Sequence, residues 1–291
     1  MYLKNGVLTN KQKLNALIAE AEALDFTQYT ESTVEPVKAA LEEAKAVQEK
    51  DKAEQTEIDA AAEKLSKAME GLEKKNGWVE TEKGWMYYED GEKAIGWKDL
   101  SGTWYYFNKD GIMETGWVSV GGHWYYLNTD GSMETGWLQL EDTWYYLNAD
   151  GVMETGWVQV GNTWYHLDNS GVMETGWVSV GGHWYYLNTD GAMKTGWVLV
   201  EGHWYYLNED GVMETGWLQV GNTWYHLDNS GVMETGWVSV GGHWYYLNTD
   251  GSMETGWVQV GSDWYYMNTD GTMATSKWID GYYVDASGKM A

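Results

Sequence analysis

Three runs of apolar residues in the first quarter of the chain follow the three- and four-residue spacing of an amphipathic helix. Their apolar positions are Leu14, Leu17, Ile18, Ala21 and Leu24 in the first run, Val34, Val37, Leu41, Ala44 and Val47 in the second, and Ile58, Ala61, Ala62, Leu65, Ala68, Met69 and Leu72 in the third. Thr30 to Ser32 is typical of a helix start, Pro36 suits a first helical turn, and Gly71 suits a helix end. Short connections between such helices predict an antiparallel three-helix bundle in residues 1–75.

From Asn76 onward the pattern changes to a unit of 20 residues that continues to the end of the chain. The first Trp of the unit stands at 97, 117, 137, 157, 177, 197, 217, 237 and 257, and its second Trp follows seven residues later. Degenerate units around Trp78 and Trp278 open and close the series, as capping units do. A fixed period of this kind predicts a repeat array over residues 76–291, in which each unit packs mainly on its neighbours.

A second period, three times as long, lies over the first. The stretch "WVSVGGHWYYLNTDG" occurs at 117–131, 177–191 and 237–251. Three repeats per structural turn would produce this spacing, and so would a recent duplication of a three-repeat segment. The sequence leaves both explanations open.

Within one unit, alternating residues flank a two-residue Gly/Asn-type loop, as in Trp117–Val120, Gly121-Gly122 and His123–Leu127. This pattern predicts a tight β-hairpin whose loop sets the register. Trp117 then pairs with Tyr126, and both lie with Trp124 on one face. The opposite face carries Val118, Tyr125 and Leu127 and is expected to form the interior, while the Trp pair faces the neighbouring repeat.

The segment Asn128–Gly131 after each hairpin is interpreted as a turn, because its spacing and acid content fall short of a calcium loop. Met133, which recurs in every unit, suits either the floor of an aromatic pocket or plain core between repeats. Two Trp of one hairpin and a third ring from the next would form a cage. Such a cage attracts quaternary ammonium through cation–π contacts of about 0.5–2 kcal/mol per ring.

The composition and net charge further limit the kinds of ligand and site that we expect. The chain has 21 Trp and 22 Tyr against 2 Phe, and a net charge of −26 that disfavours nucleic acid and is compatible with cationic ligands. With no Cys, disulfides, thiolate metal sites and Cys catalysis are excluded, and no metal or cofactor is expected. We see no apolar run long enough to span a membrane and no signal-peptide core. If the parent protein is exported, the chain is therefore expected to be its mature form or a fragment.

The helical part resembles the FIVAR-type modules of Gram-positive surface proteins. The resemblance rests on "LNALIAEAEALDFTQYTESTV", "LEEAKAV" and "EIDAAAEKLSKAMEGL", over roughly residues 10–72. It implies an extracellular three-helix spacer or adhesive module and no chemistry.

The repeat array resembles the choline-binding repeat of Gram-positive cell-wall proteins, in stretches such as "TGWVSVGGHWYYLNTDGSMETGW". The resemblance implies a mainly β fold, a left-handed β-hairpin solenoid with three repeats per turn that follows the small helical bundle. It also implies non-covalent attachment to the cell surface through choline or phosphocholine of teichoic acids, held between consecutive repeats of a secreted protein.

In that family each site takes both Trp of one repeat, the second Tyr of the next repeat and a nearby Met. The expected sites here are Trp97, Trp104 and Tyr126; Trp117, Trp124, Met133 and Tyr146; Trp157, Trp164, Met173 and Tyr186; Trp177, Trp184, Met193 and Tyr206; Trp217, Trp224, Met233 and Tyr246; Trp237, Trp244, Met253 and Tyr266; and Trp257, Trp264 and Tyr283.

Two repeats depart from this rule, because His166 and His226 replace the second Tyr. The sites that they would complete contain Trp137 with Trp144 and Trp197 with Trp204. These sites are expected to bind choline more weakly, and more weakly still below about pH 6, because a protonated imidazole repels a cation.

Three other functions remain to be weighed. Related repeats in glucan-binding enzymes and clostridial toxins bind sugars, but Trp at both cage positions and Met after the turn favour choline. No nucleophile elbow, HExxH motif or P-loop is present, so no enzyme activity is expected in this chain. A purely structural stalk would show no stabilisation by a ligand. The oligomeric state stays open, since edge repeats could pair into a homodimer.

Overall fold

The computed structural model describes residues 3–4, 7–8 and 10–291, so residues 1–2, 5–6 and 9 of the predicted helical module lie outside the described residues. Two short strands, β1 (Leu3–Lys4) and β2 (Val7–Leu8), come first. Three helices follow, α1 (Gln12–Glu22), α2 (Glu31–Glu49) and α3 (Gln55–Glu70). The three helices predicted from the apolar spacing are confirmed.

The helices bury the residues that the spacing placed on one face. Leu14, Val37 and Leu65 are fully buried in a shared core, whereas Lys and Glu cover the outside. The α2 helix starts after Thr30 as expected, but Pro36 lies in its second turn and not in its first. The missing N–H of Pro36 therefore removes one helical hydrogen bond there.

The rest of the chain is a run of β-hairpins. A three-stranded sheet of β3 (Gly77–Thr81), β4 (Gly84–Glu89) and β5 (Glu92–Lys93) opens the run. The hairpins that follow are β6 (Gly96–Leu100) with β7 (Thr103–Phe107), β8 (Gly116–Val120) with β9 (His123–Leu127), β10 (Gly136–Leu140) with β11 (Thr143–Leu147), β12 (Gly156–Val160) with β13 (Thr163–Leu167), β14 (Gly176–Val180) with β15 (His183–Leu187), β16 (Gly196–Val200) with β17 (His203–Leu207), β18 (Gly216–Val220) with β19 (Thr223–Leu227), β20 (Gly236–Val240) with β21 (His243–Leu247), β22 (Gly256–Val260) with β23 (Asp263–Met267), and β24 (Lys277–Ile279) with β25 (Tyr282–Val284).

The hairpin register agrees with the one predicted from the loop length. In the β14–β15 hairpin Trp177 pairs with Tyr186, and Ser179 pairs with Trp184. The loop residues Gly181 and Gly182 have φ of +61° and +85°, as a tight turn with two left-handed residues requires. Each Trp pair therefore lies on one face of its hairpin.

The residues expected in the interior are buried to different extents. The last residue of each second strand is fully buried, as Leu187 is, whereas the Val or Leu of the first strand is mostly half-buried. The partner of Leu187 across the hairpin is Gly176, which has no side chain. The Leu side chain thus fills space that a larger partner would occupy.

Within each compact unit described below, a backbone hydrogen bond from the Met of one repeat joins it to the preceding repeat. The turn that begins at Asn188 is closed by two bonds, from Gly191 N to Asn188 O at 2.9 Å and from Asn188 N to Ala192 O at 2.8 Å. The amide of Met193 then donates to the carbonyl of Trp164, in the preceding hairpin, at 2.9 Å. This bond places the Met side chain beside the Trp pair of the preceding repeat.

The described part of the chain divides into two compact units: the described residues up to Gly136 together with Ala149–Val152, and Trp137–Asn148 together with Met153–Ala291. The first unit contains the helices and the first hairpins, which touch where Gln28 donates its side-chain amide to Glu92 at 3.0 Å. The change from helix to strand falls between Glu70 and Gly77, around the predicted boundary at residue 75. Among the described residues, no helix is long and apolar enough to cross a bilayer. The solenoid handedness implied by the resemblance stays a prediction.

Candidate functional site

Two Trp rings of one hairpin form a corner. In the β10–β11 hairpin the ring centroids of Trp137 and Trp144 are 6.3 Å apart, and the ring planes meet at 85°. Strand alternation places both rings on one face, and the second Trp stays 37% exposed. The pair therefore offers two perpendicular aromatic walls that solvent can reach.

The third ring comes from the next hairpin and is the first Tyr of its Tyr-Tyr or Tyr-His pair. Tyr165 lies edge-to-face against Trp137, with ring centroids 4.7 Å apart and planes at 68°. The same contact recurs with centroids 4.6–5.0 Å apart in Trp78–Tyr105, Trp97–Tyr125, Trp157–Tyr185, Trp177–Tyr205, Trp197–Tyr225, Trp217–Tyr245 and Trp237–Tyr265. Each of these Trp–Tyr contacts joins two consecutive repeats.

The Met of the next repeat lines the cavity between the three rings. The amide of Met173 donates to the carbonyl of Trp144 at 2.9 Å, and its side chain lines the cavity between Trp137, Trp144 and Tyr165. The cavity has a volume of about 300 Å³. Its walls are aromatic rings and a thioether, so it suits an apolar group that carries a positive charge.

We call such a group of two Trp, one Tyr and one Met an aromatic cluster and name it by its first Trp. Five clusters line cavities: Trp78, Trp85, Tyr105 and Met113; Trp97, Trp104, Tyr125 and Met133; Trp137, Trp144, Tyr165 and Met173; Trp157, Trp164, Tyr185 and Met193; and Trp217, Trp224, Tyr245 and Met253. The cluster at Trp78 lies in the degenerate opening repeat, where the family rule had placed no site.

The clusters differ from the expected sites in their tyrosine. The second Tyr of a hairpin lies against the first Trp of its own hairpin, as Tyr186 does against Trp177 at 5.1 Å. The other expected tyrosines make the same contact: Tyr126 with Trp117, Tyr146 with Trp137, Tyr206 with Trp197, Tyr246 with Trp237, Tyr266 with Trp257 and Tyr283 with Trp278. The structure therefore brings Tyr185, and not Tyr186, to the Trp pair of the preceding repeat.

Strand alternation explains this difference. The first and second Tyr point to opposite faces of their strand, and the second shares a face with its own Trp pair. The face with the first Tyr is the one that a hairpin presents to the preceding repeat. The first Tyr therefore contacts the Trp pair of that repeat, as Tyr165 does. The expected Met shifts by one repeat for the same reason, since Met133 lines the Trp97 cluster and Met173 lines the Trp137 cluster.

The two histidines lie away from the Trp pairs that they were expected to complete. His166 packs edge-to-face on Trp157 of its own hairpin, and its Nδ1 is 2.5 Å from a carboxylate oxygen of Glu174. His226 repeats this arrangement with Trp217 and Glu234. Tyr165 contacts Trp137 and Tyr225 contacts Trp197, so each of these two Trp pairs has a tyrosine as its third ring. The weaker choline binding expected at these two places stays a prediction.

An aspartate at the rim of each cavity is a site residue that the sequence analysis assigned only to a turn. Asp190, from the hairpin after next, lines the Trp137 cluster together with Thr189. Asp130, Asp150, Asp210 and Asp270 hold the same place in the other four cavities. The recurrence of an acidic turn in most repeats was the signal available, but only the fold brings each Asp to a cavity whose first Trp lies more than two repeats earlier.

Hydrogen bonds keep some of these carboxylates charged. The Ser132 hydroxyl and backbone N–H both donate to Asp130 and lower the pKa of its carboxyl. Asp270 is held in the same way by Thr272, with a smaller contribution from the nearby His243. In the part of the chain that the structure describes, no group of three or more His, Asp or Glu side chains could hold a metal ion.

A family model for the choline-binding repeat matches residues 94–133, 114–155, 134–174, 154–195, 174–215, 194–234 and 234–278. The solved structure of CbpJ from Streptococcus pneumoniae TIGR4 is 36% identical, with a TM-score of 0.64 over 75% of this chain and 94% of that one. Choline-binding protein F from Streptococcus pneumoniae, solved in the presence of a peptidoglycan analogue, is 33% identical, with a TM-score of 0.52 over 75% of this chain and 99% of that one. No curated protein sequence matches this chain.

Proposed function

The chain belongs to the choline-binding repeat family, and on this premise we propose that its aromatic clusters bind the choline groups of cell-wall teichoic acids. The observation that carries the proposal is the recurring cavity of two perpendicular Trp rings, one Tyr and one Met. Bound choline attaches the protein non-covalently to a bacterial surface, and the chain itself has no catalytic role.

The chemistry of the cavity supports a quaternary ammonium group. Its methyl groups cannot donate strong hydrogen bonds, so walls without acceptors cost it little, while three rings each contribute about 0.5–2 kcal/mol. The sum of about 1.5–6 kcal/mol brackets the value of about 4 kcal/mol that corresponds to a millimolar dissociation constant. Many such sites on one chain gain avidity on a polymer that displays many choline groups.

The ring geometry favours choline over the sugars that related repeats bind. A sugar ring stacks on one flat aromatic face, whereas Trp137 and Trp144 meet at 85° and Tyr165 stands at 68° to Trp137. The three rings surround a small rounded group and offer no extended platform. The net charge of −26 also favours a cation over a neutral glycan.

Thermal unfolding and intrinsic Trp fluorescence of the full chain, measured against choline chloride, test the proposal. We expect a saturable rise of the unfolding temperature at millimolar choline, because a ligand that binds the native state stabilises it by mass action. Sodium chloride controls for ionic strength, and ethanolamine controls for charge, because its primary ammonium group retains strong hydration.

Each other outcome selects a different function. A response to glucans with none to choline would move the array to sugar binding. A response to ethanolamine as strong as that to choline would contradict the aromatic cage, since a simple charge effect would then explain both. If no ligand changes the unfolding temperature or the fluorescence, the repeat array is best interpreted as a structural stalk.

A further inference from the structure

The rim of the aromatic clusters carries one of two residue types. In the five cavities described above the rim residue is an aspartate from the hairpin after next, as Asp190 is for the Trp137 cluster. In three turns of the chain the same position holds a serine: Ser170, Ser230 and Ser287. Ser170 and Ser230 stand in the two repeats that carry His166 and His226, whereas the repeat with Ser287 has Tyr283 at that position.

The aspartate is not simply lost from the serine turns. It stands two residues earlier, as in Asp228, where Asn occurs in the other turns. There its carboxylate accepts the backbone N–H groups of Ser230 at 2.7 Å and Val232 at 2.9 Å. The turn therefore keeps its negative charge, but the carboxylate accepts backbone hydrogen bonds within the turn. The rim position carries a serine hydroxyl in its place.

The aromatic part is the same in both types. In the Trp177 cluster Trp177 and Tyr205 lie 4.8 Å apart, and the amide of Met213 donates to the carbonyl of Trp184 at 2.8 Å. Gly231 abuts the side chain of Met213 as Gly191 abuts that of Met173. Since Gly231 follows Ser230 directly, this serine stands at the Trp177 cluster where Asp190 stands at the Trp137 cluster.

The Trp237 cluster repeats the arrangement. Trp237 lies 4.7 Å from Tyr265, the Met273 amide donates to Trp244 O at 2.7 Å, and Gly288, directly after Ser287, abuts Met273. Its first Trp stands three repeats after Trp177, so the serine rim recurs at every third repeat.

We propose that this rim residue divides the clusters into two classes with different ligand preference, a conclusion that rests on the proposed choline function. Clusters with an aspartate rim prefer the free cation choline, whereas clusters with a serine rim tolerate phosphocholine. In phosphocholine the anionic phosphate lies two carbons from the ammonium group. With the ammonium in the cage, the phosphate reaches the rim, where Asp190 repels it and Ser230 can donate a hydrogen bond to it.

The size of the effect follows from the exposure of the rim. Asp190 is exposed to solvent, so water and salt screen its charge. A single exposed charge pair changes an affinity about two- to five-fold. The Trp157 cluster, where Glu209 stands beside Asp210 at the rim, should discriminate most strongly between the two ligands.

Methionine methyl NMR of the full chain, labelled with ¹³C at the Met methyl groups, reads each cluster separately. The Met173 resonance reports the aspartate-rimmed Trp137 cluster and the Met213 resonance the serine-rimmed Trp177 cluster, each assigned by its Met→Leu variant. Titration with choline and with phosphocholine gives a ratio of dissociation constants at each site. We expect the phosphocholine/choline ratio to be about two- to five-fold larger at Met173 than at Met213.

Three variants sharpen the test. Asp190→Asn removes the charge but keeps an oxygen to accept the Ala192 N–H, which now donates to Asp190 at 3.1 Å. It should lower the ratio at Met173 to the Met213 value, and Ser230→Asp should raise the ratio at Met213. Glu20→Gln, on an exposed position of α1, removes one negative charge from the chain and should change neither ratio.

The outcomes separate this inference from the function on which it rests. If no Met resonance responds to choline, the proposed function fails and the inference fails with it. If both resonances respond to choline but their ratios are equal in the unaltered chain, choline binding stands and the two classes are refuted. A change in Asp190→Asn that appears equally at Met173 and Met213 would also refute them, because it would be an effect of net charge.

Discussion

Gly191 tests how closely consecutive repeats pack, because a single added methyl group would collide with the repeat before it. Its φ is +80°, and a Cβ built on it would lie 2.9 Å from Cε and 3.0 Å from Cγ of Met173, with Sδ closer still. Gly196, in the next strand, has a similar φ of +74° but nothing within 4 Å of its Cβ position. A comparison of alanine variants at Gly191 and Gly196 therefore separates the cost of backbone strain from the cost of steric overlap.

The expected costs follow from these two environments. A left-handed conformation costs an alanine about 1–2 kcal/mol, and both variants carry this cost. Overpacking adds about 1–3 kcal/mol and applies to Gly191→Ala alone. We therefore expect Gly191→Ala to lower the free energy of unfolding by about 2–5 kcal/mol and Gly196→Ala by about 1–2 kcal/mol.

Urea unfolding of the full chain, followed by Trp fluorescence, compares the two variants. Gly191→Ala should also displace the Met173 side chain into the Trp137 cluster and weaken choline binding there, which the Met173 methyl resonance reports. If both variants lose the same stability and Met173 binds choline normally in each, the close contact between Gly191 and Met173 is refuted.

Three further predictions concern other parts of the chain. Tyr185→Leu should weaken choline binding at the Trp157 cluster by about 2- to 30-fold through the loss of one ring, while Tyr186→Leu should have a smaller effect there; a larger effect of Tyr186→Leu in Met193 methyl titrations would restore the family rule. The Ser252 hydroxyl and N–H donate to the Asp250 carboxyl and lower its pKa. The stability that this carboxylate contributes should therefore be complete above the ordinary pKa of aspartate and be lost as the pH falls through the lower pKa of the folded state. The urea midpoints of Asp250→Asn and of the unaltered chain should differ near neutral pH and converge in acid. Leu65→Ala, at a fully buried position of α3, should cost the helical module about 2–5 kcal/mol, visible as a loss of helical circular dichroism at lower temperature; an unchanged helical transition would contradict the buried core.

The helices and hairpins could be predicted because their causes are local. Apolar spacing in residues 14–72 determines which face of each helix is buried, and the two-residue loops determine the pairing of Trp177 with Tyr186. Pro36 lies one turn deeper in α2 than predicted, although the helix starts after Thr30 as expected. The FIVAR likeness of the helical module stays a prediction.

By itself, the sequence determined the repeat period, the hairpin register and the aromatic character of the sites. These depend on neighbours along the chain, and they were enough to identify both Trp of each cluster other than the one at Trp78 in the opening repeat. Alternation along a strand also showed that the two Tyr of a repeat face opposite ways.

Only the tertiary structure decided which of those faces meets the preceding repeat. That choice depends on the turn between hairpins and on the bond from the Met193 amide to the Trp164 carbonyl. It assigned Tyr185 in place of Tyr186, moved each Met by one repeat, and brought Asp210 to the cavity that begins at Trp157, more than two repeats earlier. Sequence spacing cannot show which side chains meet between consecutive repeats, because the spacing is the same whichever face of a hairpin is turned toward the preceding repeat.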